Sequence, residues 1–79
     1  MIETIIKLET PKDVTEFANL SSKCDGDVYV CGKRHIIDGK SLLGLYSLDL
    51  SLPLKVEFHG NIPDEVKRNM QKYIMPGGY

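Results

Sequence analysis

Gly39-Lys40-Ser41-Leu42-Leu43-Gly44-Leu45-Tyr46-Ser47-Leu48-Asp49-Leu50 is the stretch on which the reading of this chain turns. Ser41 stands immediately before an apolar run, where its side-chain oxygen serves as a helix N-cap by accepting from a free backbone N–H of the first turn. Leu42, Leu45 and Leu48 recur at helical spacing and are expected to point inward, with Leu43 and Tyr46 flanking that stripe. A short helix that is apolar around most of its circumference suggests that part of it serves a partner.

Upstream of this helix the pattern alternates. Residues 2–8 read as a β-branched strand, with Ile6 and Leu8 on one face and Ile5 on the other. Thr10-Pro11-Lys12-Asp13 is a helix start: threonine as cap, proline at the first helical position and an acid in the first turn. Val14, Phe17, Ala18 and Ser21 then share a face, and Asp25-Gly26-Asp27 supplies turn chemistry after a helix end near Cys24. Residues 27–31 form a second strand, Val28 and Val30 inward, Tyr29 and Cys31 outward. A tight reversal at Gly32-Lys33 leads into a third strand over residues 34–38.

Downstream, Leu54, Val56 and Phe58 alternate with Lys55, Glu57 and His59, the signature of a strand buried on one face. Pro63-Asp64-Glu65 opens a last helix with Val66, Met70, Tyr73 and Ile74 as its buried stripe; Pro76-Gly77-Gly78 stops it, leaving Tyr79 frayed. The order is βαββαβα. Four short strands with helices gathered on one face describe an α+β open-faced sandwich built on an antiparallel sheet.

Size and charge set bounds on function. The 79 residues make one domain, 1–79, near the lower end of what folds alone. The net charge of −1 without a basic block leaves nucleic-acid binding without an electrostatic footprint. No apolar run is long enough to span a membrane, and the acid-containing, alternating start does not read as a signal peptide, so a cytoplasmic setting is expected. Cys24 and Cys31 are expected to be reduced thiols. With His35 they give a Cys-x6-Cys-x3-His spacing, whereas a compact zinc knuckle holds its first pair ~2–4 residues apart, so no metal is expected.

The Ser41 segment, together with Ser22-Lys23-Cys24-Asp25-Gly26-Asp27-Val28 and the last strand and helix, resembles HPr, the phosphocarrier family of the bacterial sugar phosphotransferase system. The resemblance covers roughly residues 13–74. It implies the same open-faced sandwich, three helices on one face of the sheet. It further implies that Ser41 corresponds to the family's regulatory serine, which a dedicated kinase phosphorylates. Leu42, Leu43 and Tyr46 then correspond to the apolar patch that docks on partner proteins: an HPr-type kinase, a transcriptional regulator or phosphotransferase-system enzymes. The phosphocarrier motif Gly-Ile/Leu-His-Ala-Arg-Pro-Ala is missing. Leu8-Glu9-Thr10-Pro11-Lys12-Asp13 occupies its place without histidine or arginine.

His35 and His59 are the remaining imidazoles, and both read as solvent-facing strand residues rather than positioned phosphate carriers. Thr10, as a capping hydroxyl, lacks the nucleophilicity to replace the missing histidine. Gly39-Lys40-Ser41 fails as a phosphate-binding loop, because the first glycine of that motif would fall at Arg34. No paired carboxylates, serine–histidine pair or glycine-rich cofactor loop stands elsewhere, so no enzyme active site and no cofactor are expected. The reading is a regulatory or protein-binding module. Its alternatives are a phosphocarrier working through an atypical residue such as His59, and a domain that self-associates through its open sheet face or leucine helix.

Overall fold

Thr10 begins the first helix as its residue type and the following proline require. In the computed structural model, which describes residues 1–75, its hydroxyl accepts from the Asp13 N–H at 3.1 Å while the Asp13 carboxylate accepts from the Thr10 N–H at 3.1 Å. This reciprocal capping box opens α1 (Pro11–Ser22), which follows β1 (Ile2–Ile6). The remaining elements are β2 (Val28–Cys31), β3 (Ile36–Asp38), α2 (Leu42–Tyr46), β4 (Leu54–Phe58) and α3 (Asp64–Met70), the last extended by one 3₁₀ turn, Gln71–Tyr73. The expected stop at Pro76-Gly77-Gly78 and the frayed Tyr79 lie outside the described residues.

The strands form one antiparallel sheet in the order β1-β4-β2-β3, with the three helices on one face. Its register pairs Ile6 with Leu54, Thr4 with Val56 and Val30 with Val56, which sets the inward residues of β1, β4 and β2 in rows. Helix α1 adds Val14, Phe17, Ala18, Leu20 and Ser21, α3 adds Val66 and Met70, and the 3₁₀ turn adds Tyr73. Leu8, beyond the end of β1, is fully buried with Ile6 as its alternation predicts. The opposite face carries charge: Lys55 reaches Glu3 of β1 at 3.3 Å across the strands and Glu57 of its own strand at 3.5 Å.

Three expectations are corrected. The third strand is Ile36–Asp38 rather than residues 34–38, because the chain leaves β2 through a wider loop in which the Gly32 N–H donates to the His35 carbonyl at 2.8 Å. His35 therefore lies in that loop and not in a strand. Ile74 does not continue the helical stripe. It forms an antiparallel bridge with Ile6, flanked by Lys7 N–H to Tyr73 carbonyl and Met75 N–H to Ile5 carbonyl, both 2.9 Å. The free edge of β1 offers those backbone groups, and a β-branched isoleucine suits an extended pairing. The third correction concerns Leu42 and belongs to the site.

The capping box carries a pH dependence. The Glu9 N–H, 3.0 Å from the Asp13 carboxylate, and the Thr10 groups hold the Asp13 carboxyl below its ordinary value of 3.8. A depressed folded-state value stabilises the fold above the unfolded pKa, and that contribution disappears as pH falls through the folded one. Asp13→Asn, which keeps an accepting oxygen and removes the charge, is expected to cost about 0.3–1 kcal/mol at neutral pH. In urea denaturation the gap from the parent should stay constant above about pH 5 and narrow in stronger acid. A gap that does not change with pH would contradict the role given to the carboxylate.

Candidate functional site

Helix α2 is only five residues long, so its position is set by its caps and by one inserted side chain. Asp38 prepares the entry: its carboxylate accepts from the Lys40 N–H at 2.9 Å and its carbonyl from the Ser41 N–H at 3.0 Å. The Ser41 hydroxyl oxygen then accepts from the Gly44 N–H at 3.1 Å, the N-cap bond expected of it. Leu45 is fully buried in the core, and Leu48, past the helix end, packs against that core half-buried. Gly44 is fixed by packing: a methyl group there would lie 2.5 Å from Ile37 Cγ2 and 3.2 Å from Ser41 Oγ. The glycine thus lets α2 sit directly on β3.

The outward side of this helix is apolar. Leu43 is 85% exposed, Tyr46 45% and Leu42 40%. Leu42 was expected to point inward with Leu45, and it does not. A helix turns about 100° per residue, so Leu42 lies about 40° from Tyr46 but about 60° from Leu45. With one buried anchor in so short a helix, Leu42 follows Tyr46 to the surface. The Tyr46 hydroxyl donates to the Pro11 carbonyl at 3.3 Å, which ties α2 to the beginning of α1. Lys40, beside Ser41 in sequence, is turned to structural use: its ammonium donates to the Cys24 carbonyl at 3.2 Å.

The start of α1, where the HPr pattern would place its phosphocarrier histidine, is built differently. Its cap is filled by the Thr10 hydroxyl, which takes the Asp13 N–H, while the Asp13 carboxylate takes the Glu9 and Thr10 N–H groups and sets a negative charge at this helix start. Beside it lies a depression of about 340 Å³ lined by Lys7, Glu9, Asp13 and Lys72 among others. The cations there are engaged. Lys7 donates to the Leu50 carbonyl at 2.8 Å, and Lys72 pairs with Glu16 at 2.6 Å. Glu16 also accepts from the Tyr73 hydroxyl; Lys72 first, then Tyr73, holds its carboxyl below the ordinary value.

The histidines and cysteines lie outside α2. His59, exposed just beyond β4, places Nε2 3.0 Å from Glu57 Oε1 and stacks edge-on to Tyr29. The His59 ring is the main cause of the depressed Glu57 carboxyl, with Lys55 adding to it. Cys24 is buried and Cys31 half-buried; both are free, and burial pushes both thiols up. Among the described residues no group of three or more His, Cys, Asp or Glu is placed to hold a metal ion, and no helix is long and apolar enough to cross a membrane.

The sequence reading missed the Tyr46–Pro11 and Lys7–Leu50 bonds, which join α2 and the chain after it to the β1–α1 junction. Neither has a local signature, since the partners are backbone carbonyls 35 and 43 residues away. No family model matches the chain, and no curated protein matches it.

Proposed function

We propose that this chain is an HPr-like regulatory module that binds other proteins through α2 and carries no phosphate on histidine. The observation that carries this reading is the outward projection of Leu42, Leu43 and Tyr46 from a helix whose hold on the fold comes from Leu45. Three adjacent apolar side chains, one aromatic with a polar tip, form the kind of anchor that protein interfaces bury. The βαββαβα order and the β1-β4-β2-β3 sheet agree with the resemblance read from the Ser41 segment.

On this reading Ser41 is the control point and the setting is the bacterial cytoplasm. A phosphate there would place about two negative charges beside the apolar patch, changing what docks without unfolding the domain. The partners implied are an HPr-type kinase, a transcriptional regulator or phosphotransferase-system enzymes. The module acts by binding rather than as an enzyme. A phosphocarrier role through His59 is disfavoured, since the Glu57 carboxylate 3.0 Å from the ring nitrogen would repel an incoming phosphoryl group.

Intact-mass analysis after incubation with an HPr-type kinase and ATP tests the proposal. One acid-stable phosphate is expected, absent in Ser41→Ala and strongly reduced in a Leu42→Gln/Leu43→Gln variant. An unmodified protein would remove Ser41 from the regulatory role.

A further inference from the structure

A second surface lies away from the exposed side of α2. The loop 32–35 and the chain joining α2 to β4 form the walls of a cleft of about 600 Å³, with Ile5 and Cys31 of the sheet among its lining. Its apolar lining comes from Ile5, Leu48, Leu52 and Pro53, and Lys33, Arg34 and His35 stand in succession on one wall. All three are exposed, and among the described residues none makes a side-chain hydrogen bond or ion pair.

The other charged groups of the cleft are Lys55 and the Asp49 carboxylate, the latter near enough to Lys33 to feel its charge. Lys55 is held by Glu3 and Glu57. The Asp49 carboxylate accepts from the Ser51 hydroxyl at 2.5 Å and from the Ser51 N–H at 3.1 Å. Lys33 and Arg34, beside the His35 ring, thus outnumber the Asp49 carboxylate along an apolar lining, in a chain whose overall charge is −1. This local excess of cations sets the ligand's charge, because a guanidinium without a side-chain partner at the edge of an apolar cleft favours a carboxylate or similar anion. The volume falls within the ~300–1,000 Å³ typical of small-molecule sites.

We infer that the cleft between loop 32–35 and the α2–β4 connection binds a small organic carboxylate with an apolar body. The carboxylate engages Lys33 and Arg34, and the body lies against Leu48, Leu52 and Pro53. The site is separate from the Leu42–Tyr46 surface, so its occupancy can be tested independently of the docking proposal.

Naphthoate is the probe, titrated at low ionic strength while the backbone amide NMR correlation spectrum is followed. The expected result is saturable shifts clustered in residues 32–36 and 47–55. The Lys33→Gln/Arg34→Gln variant should weaken binding roughly tenfold, and the neutral isostere naphthalenemethanol should bind the parent protein correspondingly less well. Added salt should weaken binding of the anion and leave the alcohol unchanged. The inference is overturned by absent shifts, by shifts centred on residues 42–46, or by equal affinity for acid and alcohol.

Discussion

Phe17→Ala is expected to remove about 3–5 kcal/mol of stability, the cost of deleting a fully buried aromatic and leaving a cavity. A chain of this length has about 4–12 kcal/mol in all, so the variant should lose a large share of its stability. Phe17 is completely buried on the inner face of α1, in one core with Val14, Leu45, Val30 and Val56. Neighbours from the sheet and two helices constrain one another, and the vacated space cannot close without moving an element. Urea denaturation measures the loss. A change under about 1 kcal/mol would contradict the central position given to the ring, since losses that small belong to surface sites.

The second large effect comes from the two glycines that bring the turn after α1 against the turn after β4. A methyl group added to Gly26 would lie 2.7 Å from both Cα and N of Gly60, and one added to Gly60 meets Gly26 at the same distances. The obstructing atoms are backbone, so neither clash is relieved by a side chain swinging away. Neither residue lies in the left-handed region, which makes the cost purely steric. Each alanine substitution is expected to lose about 2–3 kcal/mol through forced separation of the turns. Reduced freedom of the unfolded chain returns under about 1 kcal/mol of this. The double variant should cost clearly less than the sum of the singles, because the first methyl already parts the two backbones. Strict additivity in denaturation would show that the turns do not touch. Separation would also strain the flanking bond from the His59 N–H to the Asp27 carbonyl, 2.9 Å long.

These glycines mark where local pattern stops being informative. Asp25-Gly26-Asp27 reads as a turn from composition, yet its close approach to Gly60 depends on two segments 34 positions apart in sequence. Local chemistry was legible wherever the partners were near. Thr10 and Asp13 cap α1 as their spacing requires, and Leu54, Val56 and Phe58 point inward as their alternation requires. The departures occurred where tertiary contacts decided. Ile74 left the helical stripe for the open edge of β1, and β3 began two residues late because the loop before it closes on the His35 carbonyl.

The candidate site divides along the same line. Ser41 as N-cap follows from its place before Leu42, whereas the need for glycine at 44 comes from Ile37 of β3, a contact with no local signal. The exposure of Leu42 required knowing that α2 is barely more than one turn with a single buried anchor, which its leucine spacing did not reveal. The cation-lined cleft was invisible in sequence because Lys33-Arg34-His35 gains its meaning only when loop 32–35 stands opposite Leu48 and Leu52.

The most direct test of the docking account is titration of the labelled protein with an HPr-type kinase, followed by backbone amide NMR. The account predicts that the largest changes fall on residues 41–47 and vanish in a Leu43→Glu variant whose urea midpoint matches the parent's. Changes centred on the charged sheet face at Glu3, Lys55 and Glu57, or undiminished binding by that variant, would contradict it.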